Sequence, residues 1–314
     1  MEHYLITGGA GFIGSNLVEE LLKQGEKVRV LDNFSTGRRD NLKPFINDIE
    51  LVEGDIRSLS TVYRAVDGID FVLHQAALPS VQRSVEDPIT TNEVNITGTL
   101  NILIASRDRN VKRVVFASSS SIYGNNNILP KQEDMKTDPL SPYAAAKLTG
   151  EKYCKVFSEV YGLSTIVLRY FNVFGPRQDP TSQYSAVIPR FIHLMKNNKV
   201  PTIYGDGEQS RDFTYIKNVV NANLLACKSL DLKHEIFNCA CQEQISINQL
   251  VHYLNEIFNT NIKPNYDKPR SGEVKHSLAD VSKARRLLNF NPEVNFKQGL
   301  NKTVAWFTTT GDFQ

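Results

Sequence analysis

Apolar residues along the chain follow two alternating rhythms. Short runs rich in aliphatic and β-branched residues read as strands: HYLIT (3–7), KVRVLD (27–32), IELVEGD (49–55), DFVLHQAA (70–77), KRVVFASS (112–119) and STIVLRYF (164–171). Between them apolar positions return at helical spacing. Ile13, Leu17 and Leu21 mark one helix within 12–24, and further stretches lie near 58–66 and 88–107. Ser141 is a good N-cap, Pro142 suits the first helical position, and three alanines follow, which predicts a helix running to about Tyr161. Strands that alternate with helices in this way predict an α/β fold, a doubly wound parallel sheet covered on both faces.

After Asn172 the regular alternation stops. Loops carrying Gly175, Pro176, Pro180, Pro189 and Pro201 separate shorter elements, with helices expected near 184–197, 217–229, 246–259, 281–288 and 296–308. The pattern divides the chain into a nucleotide-binding sheet domain over 1–171 and a smaller α/β substrate domain over 172–314, with a strand near 235–239 returning to the main sheet.

Composition changes this picture little. The 314 residues are 41% hydrophobic and 22% charged, as in a soluble globular protein with a sizeable core. A net charge of +2 gives no reason to expect a nucleic-acid or membrane partner. The opening MEHYLITGG enters a strand without a basic start and apolar run, so no signal peptide is expected, and no apolar run approaches membrane-spanning length. Cys154, Cys227, Cys239 and Cys241 form no C-x-x-C and read as reduced structural thiols of a cytoplasmic protein. The six histidines show no metal-ligand spacing, so no metal is expected.

The first candidate chemistry is TGGAGFIGSNL (7–17), between the first strand and its helix. It satisfies G-x-G-x-x-G with Gly9, Gly11 and Gly14, and G-x-x-G-x-x-G with Gly8, Gly11 and Gly14. Such a turn lets backbone approach a pyrophosphate, which the helix N-terminus favours. Asp32 closes the second strand, where an acid would hold an adenosine ribose and repel a 2′-phosphate, pointing to NAD rather than NADP. Arg38 and Arg39 lie close behind and point the other way with less weight. Asp55 stands near the adenine end, and Gln75, Ala76 and Ala77 end the fourth strand at the pyrophosphate.

The second is SPYAAAK (141–147), which puts Tyr143 and Lys147 on one helix face. With 12 Tyr and 20 Lys along the chain, chance alone supplies roughly 0.8 Tyr-x-x-x-Lys matches, so context decides. The context is ASSSSIYG (117–124), which ends the fifth strand with Ser119 at the edge where ligands bind in such sheets. A free tyrosine, with a pKa of about 10, is a poor base. An ammonium about 6 Å away, at an effective dielectric of about 20, favours the phenolate by roughly 2.8 kcal/mol, or about two pKa units. The pair is therefore expected to bring Tyr143 into general-base range.

With these motifs assembled, the chain resembles the extended short-chain dehydrogenase/reductase family, and within it the NAD-dependent UDP-sugar 4-epimerases. RYFNVFGP (169–176), YGDGEQSRDFTYI (204–216) and PRSGEVKHSLAD (269–280) carry the resemblance through the second half. It implies a Rossmann domain that contacts NAD through Gly8, Gly11, Phe12, Ile13 and Gly14, through Asp32, Asn33 and Gly37, and through Asp55 and Ile56. Further contacts are implied from Gln75, Ala76, Ala77, Asn95, Tyr143, Lys147 and Tyr170. Lys147 would also hold the nicotinamide ribose.

The resemblance also separates reactions. Dehydratases of the family carry an Asp–Glu pair after the strand-end hydroxyl, and decarboxylases a Glu. Here Ser120, Ser121 and Ile122 follow Ser119, so elimination is disfavoured and reversible hydride transfer at C4 remains. Tyr143 would take the 4-hydroxyl proton while Ser119 hydrogen-bonds that oxygen. Arg211 and Arg270 would grip the UDP pyrophosphate, with Asn172 on phosphate or sugar, Tyr204 on uracil and Glu273 on the uridine ribose. Ser120 and Val187 complete the implied substrate contacts. Ser277 is small where glucose-restricted members carry tyrosine, which leaves room for an N-acetyl group, and AALPSVQRS (76–84) brings Arg83 and Ser84 toward the sugar. A uronic acid would need a cation such as Arg177 or Arg190, so UDP-glucuronate stays open as an alternative. A non-catalytic NAD-binding scaffold is the alternative from another class. Helices 88–107 and 142–161 are those from which relatives build a dimer, with Val156, Val160 and Leu148 as candidate apolar surface, so a homodimer is expected.

Overall fold

The computed structural model describes residues 1–180, 186–269 and 275–309. Six strands of the first half are β1 (His3–Thr7), β2 (Lys27–Asp32), β3 (Glu50–Glu53), β4 (Phe71–His74), β5 (Arg113–Ser119) and β6 (Thr165–Tyr170). With the strand His234–Cys239 they form one seven-stranded sheet, in the order His234–Cys239, β6, β5, β4, β1, β2, β3. Every pairing is parallel. The chain leaves β1 toward β2 and β3, then crosses back to place β4 on the other side of β1. The carboxyl ends of β1 and β4 therefore flank the crevice where such sheets bind ligands.

Period-two alternation sends side chains of one strand into two cores. Tyr4 and Ile6 enter the cluster shared with helices Phe12–Lys23 and Ile216–Lys228, while Leu5 enters the opposite cluster with Val72, Val114, Phe116 and Phe157. β4 and β6 are buried along their whole length, as strands covered on both faces should be. Each fully buried Leu, Ile or Val side chain contributes about 1.5–3 kcal/mol relative to exposure.

Helix Pro142–Tyr161 starts and stops where the sequence indicates. Ser141 Oγ accepts from the Ala144 N–H at 3.1 Å, and Gly162 ends the helix at φ +73°. Two strands are shorter than expected: Glu50–Glu53 against 49–55, and Phe71–His74 against 70–77. Beyond His74 the Ala76 N–H bonds the Thr7 hydroxyl instead of a strand. The expected helix 88–107 is broken into Pro88–Asn92, a π-helical turn Glu93–Thr97 and Gly98–Asp108. The turn brings Asn95 against the loop after β4, a tertiary demand that spacing does not record.

The second half is built from short pieces. Val173–Phe174 pairs with Thr214–Tyr215, Ser210–Arg211 with Ile245–Ser246, and Thr202–Tyr204 with Asn265–Asp267. Its helices are Val187–Lys196, Ile216–Lys228, Ile247–Phe258, Ser282–Leu288 and Phe296–Thr309. The change at residue 172 is one of style rather than a clean cut. His234–Cys239 pairs with β6, helix Ile216–Lys228 packs on β5 and β6, and one core cluster runs from Ile6 through Phe174 to Phe296. Among the described residues no helix is long and apolar enough to cross a membrane, and no group of His, Cys, Asp or Glu is placed to hold a metal ion.

Candidate active site

The glycine turn is as tight as its sequence demands. Gly8 sits at φ +69°, and a Cβ there would stand 2.8 Å from Ala76 backbone. A Cβ on Gly14 would fall 2.1 Å from the Gly8 carbonyl oxygen. Helix Phe12–Lys23 begins at Gly11, and among the described residues no side chain caps it. Its first amides, from Phe12 and Ile13, are thus left to an anion. This cradle fits the pyrophosphate of a dinucleotide.

Asp32 holds the cradle from below. Its Oδ2 accepts from the Ala10 N–H at 2.9 Å and its Oδ1 from the Phe34 N–H at 2.8 Å, and Gly37 packs against it. Burial raises its pKa against the pull of those N–H donors. Asn33 Nδ2 donates to Asp55 Oδ2 at 2.9 Å, so the two candidate adenosine contacts are joined. Arg57 also grips Asp55 and holds its carboxyl below the usual range. The Ile56 side chain is buried in the core, and its carbonyl accepts from Asn101 Nδ2 at 3.0 Å. Arg39 is bound to Glu53 at 2.7 Å and lies 3.9 Å over the Phe34 ring.

The loop after β4 is fixed from three sides. Gln75 Nε2 donates to the Tyr170 hydroxyl and to Asn223 Oδ1, both at 3.1 Å. Asn95 makes a reciprocal pair with Leu78, accepting from its N–H at 2.8 Å and donating to its carbonyl at 3.1 Å. Beneath the loop, buried His74 joins Thr7 at 2.7 Å to Thr99 at 3.0 Å. Thr99 donates to the Asn95 carbonyl and the Ala76 N–H donates to Thr7. His74 Nε2 therefore carries the proton and Nδ1 accepts from Thr7. Burial pushes the His74 pKa down to about 3, so it stays neutral. Neither His74 nor Asn223 stood out in the sequence, because a lone buried His or Asn has no spacing signature.

Ser119, Tyr143 and Lys147 meet at the carboxyl end of β5. Ser119 Oγ accepts from the Ser121 N–H at 3.2 Å and from the Ser121 hydroxyl at 3.0 Å, and it stands near enough to the Tyr143 phenol to lower its pKa. Lys147 Nζ donates to the Ala117 carbonyl at 2.7 Å and lies 5.9 Å from the Tyr143 ring centre. One expectation is corrected here: the Tyr143 pKa is raised, by burial, and among its neighbours Ser119 is what lowers it. Burial also pushes Lys147 down to about 8. Desolvation of both groups outweighs the charge effect estimated from spacing, because spacing carries no measure of depth.

A cavity of about 290 Å³ gathers Asn172, Val187, Tyr204 and Arg211, four of the predicted substrate residues. It also takes in Arg190, Gln209, Ile188, Phe191 and Phe213, of which only Arg190 had been named. Helix Val187–Lys196 starts at this wall from Ala186, with no capping side chain among the described residues, so its first amides offer a second anion cradle. Ser277 is half-buried, and its N–H donates to the Ser210 carbonyl at 3.0 Å, beside Arg211. His276 Nδ1 bonds Ser210 Oγ at 2.8 Å, so residues 276 and 277 are both tied to Ser210. Arg270 and Glu273 lie outside the described residues. Arg83 stands on a short helix, Val81–Glu86, and Ser120 on the turn Ser120–Tyr123. Ser84 is buried and donates its hydroxyl to the Val81 carbonyl at 2.6 Å.

One buried carboxylate ties the segment carrying Arg211 and Phe213 to two segments behind it. Asp212 accepts from the N–H groups of Cys241 (3.0 Å), Gln242 (3.2 Å) and Ala279 (3.1 Å). Its pKa is pushed up to about 6, since burial outweighs these donors. The structure thus brings Ser119, Tyr143 and Lys147 together at the carboxyl end of β5, and lines a cavity with the cations of Arg190 and Arg211 and the aromatic rings of Phe191, Tyr204 and Phe213.

Comparison with known proteins agrees. The model of the NAD dependent epimerase/dehydratase family matches residues 4–240. The chain is 40% identical over 304 residues to the putative UDP-glucose 4-epimerase of Methanocaldococcus jannaschii, covering 96% of this chain and 97% of that protein. It is 38% identical over 318 residues to the UDP-glucuronate 4-epimerase of Thermodesulfobacterium geofontis, covering 98% and 96%. Among solved structures, the UDP-N-acetylglucosamine 4-epimerase from Methanobrevibacter ruminantium M1, in complex with UDP-N-acetylmuramic acid, is similar at a TM-score of 0.94, with 41% identity over 99% of each chain.

Proposed function

The chain belongs to the NAD-dependent epimerase/dehydratase family, and on that footing we propose that it interconverts the C4 epimers of a UDP-hexose, with UDP-N-acetylglucosamine and UDP-N-acetylgalactosamine as the preferred pair. The observation that carries the reaction type is the meeting of Ser119, Tyr143 and Lys147 beside a turn, Ser120–Tyr123, that holds no acid. Glu151, the nearest carboxylate along the helix, is buried and bound to Arg169 and Ser118. An elimination would lack its acid and base.

Tyr143 as phenolate takes the proton from the sugar 4-hydroxyl, and Ser119 donates a hydrogen bond to that oxygen. Because burial raises the Tyr143 pKa, the phenolate relies on nearby positive charge, for which Lys147, 5.9 Å from the ring centre, is the group at hand. Bound NAD supplies a reversible hydride acceptor at C4. Gly8, Gly11 and Gly14 with the Phe12 and Ile13 amides hold its pyrophosphate, Asp32 its ribose, and Gln75, Asn95 and Tyr170 the loop against it. Arg211, Asn172 and the amides at Val187 take the UDP phosphates, and Tyr204 the uracil.

Ser277 supports the N-acetyl pair. It is half-buried, and its N–H bonds the Ser210 carbonyl next to Arg211, where a small side chain leaves room. The relative in complex with UDP-N-acetylmuramic acid accommodates an N-acetylated sugar on a 41% identical chain. The uronate alternative loses one of its cations. Arg177 is bound to Glu19 and to the Ser15 carbonyl, and it lies 5.5 Å from the Phe45 ring centre. The same reading makes the protein a cytoplasmic homodimer. Val156 and Val160 on helix Pro142–Tyr161 are exposed, whereas Leu148 packs in its own core. Light scattering at micromolar concentration should return twice 35.4 kDa.

The test follows UDP-N-acetylglucosamine, UDP-glucose and UDP-glucuronate by NMR, without added NAD and then with it. The acetylated sugar should turn over fastest. Ser277→Tyr should cut that turnover by about 10–100-fold and spare UDP-glucose, the effect of closing a pocket worth about 1–3 kcal/mol. Turnover of UDP-glucuronate alone would replace this reading with the uronate one.

A further inference from the structure

Glu151 and Arg169 lie under the reacting pair and have no part in the chemistry above. Glu151 follows Tyr143 and Lys147 at successive intervals of four on helix Pro142–Tyr161, so the three share one face. Both charged side chains are buried, at 2% and 3% exposure. Glu151 Oε1 accepts from Ser118 Oγ at 2.5 Å and from Arg169 Nε at 3.0 Å, while Oε2 accepts from Nη2 at 2.8 Å. Arg169 Nη1 donates on to the Tyr123 hydroxyl at 2.8 Å and the Glu133 carbonyl at 3.0 Å, and Tyr123 donates to Asn238 at 2.7 Å.

The network joins the helix to the strand that carries Ser119. Ser118 and Arg169 are register partners across β5 and β6. One turn earlier Lys147 bonds the carbonyl of Ala117. The helix is thus pinned to two consecutive residues of β5, by Lys147 and by Glu151, immediately before Ser119. Stability gives no reason for charges here, since well-packed apolar residues replace a buried ion pair at no net cost in many proteins.

We infer that Glu151 and Arg169 are a positioning pair for the catalytic centre: they lock the Ser119 end of β5 to the Tyr143 helix, and Arg169 cancels a carboxylate that would otherwise stand one turn from Lys147 and two from Tyr143. The kinetic readout rests on the epimerase reading above. The other titratable groups facing this cluster are His74 from β4, which is neutral, and Cys154 on the helix itself, which burial keeps protonated. Tyr123 and Glu133 face it from the segments beyond β5, both with raised pKa values. Glu151 and Arg169 thus hold opposed charges at the helix face that carries Lys147 and Tyr143, and removing either leaves the other unbalanced.

The test is the acid limb of the kcat–pH profile in three variants of the NAD-loaded enzyme. Arg169→Met should raise its apparent pKa and Glu151→Gln should lower it. Each shift should be about one unit, the effect of one charge about 12 Å away at an effective dielectric of about 20. Glu151→Gln/Arg169→Met should return the limb close to wild type. Ser118→Ala, which removes a hydrogen bond and no charge, should lower kcat severalfold with the limb unmoved. Shifts of one sign in both single variants, or none, overturn the inference. Should the charge variants fail to fold, unchanged kcat in Ser118→Ala overturns it alone. Ultraviolet titration of the Tyr143 phenol, read against Tyr143→Phe, gives the same ordering without turnover. A correct ordering there in a protein that turns over no UDP-hexose would reject the epimerase reading and keep the positioning pair.

Discussion

Ser119, Tyr143 and Lys147 hang from a seven-residue strand and a twenty-residue helix, whereas Tyr204 and Arg211 sit on ladders of three and two residues and Ser277 on a segment that only crosses one of them. On the catalytic side, position follows from regular backbone. The parallel ladder fixes β5 against β4 and β6, and the capped helix lays the face carrying Tyr143 and Lys147 on that edge. On the nucleotide side, position depends on a hub. Asp212 draws together the segments around residues 212, 241 and 279, which carry Arg211 and Ser277. The proposed catalytic residues are thus mounted on regular backbone, and the proposed nucleotide residues on a junction gathered by one carboxylate.

The largest effect should come from the frame side and leave the fold untouched. Tyr143→Phe should lower kcat by about 10³-fold, the usual worth of a general base, with an unchanged melting temperature. Unchanged turnover would remove Tyr143 from the chemistry and revive the scaffold alternative. Asp212→Asn should do the reverse. It sets an N–H₂ against amide donors that now bond a carboxylate, so unfolding in urea should show a loss of about 3 kcal/mol. KM for the UDP-sugar should rise more than kcat falls. Unaltered stability would mean that the short ladders hold the nucleotide side by themselves.

The smallest effect is a pH dependence of the frame. His74 stays neutral in the fold down to about pH 3, while in the unfolded chain it takes up a proton below about 6.5. The unfolded state binds more protons between these values, so stability should fall as pH falls below about 6.5. The slope should approach 1.4 kcal/mol per pH unit for this one group. Urea unfolding of His74→Gln at pH 7, 6 and 5 should show that slope reduced by one proton. An identical slope would mean that His74 is protonated in the native state.

The frame was far more legible in the sequence than the hub. Glycine spacing, Asp32, Ser119 and the Tyr143–Lys147 interval are local patterns on regular elements, so strand and helix periods placed them correctly. Asn172, Val187, Tyr204 and Arg211 were reached through resemblance and do share a cavity. Ile188, Phe191 and Phe213 were not reached, because an apolar residue lining a cavity reads like one lining the core. Asp212 was overlooked beside Arg211, since its importance lies in amide groups far along the chain. The π-helical turn at Asn95 and the burial that raises the Tyr143 pKa are products of tertiary packing, which no spacing encodes.

The account's central claim is that C4 gives up its hydrogen as hydride while Tyr143 handles only the hydroxyl proton. The direct measurement uses UDP-N-acetylglucosamine carrying deuterium at C4, turned over in ordinary water and read by NMR of the epimer. The account predicts that the product keeps deuterium at C4. Exchange of that deuterium for solvent hydrogen would mean that C4 is deprotonated at carbon, and would contradict it.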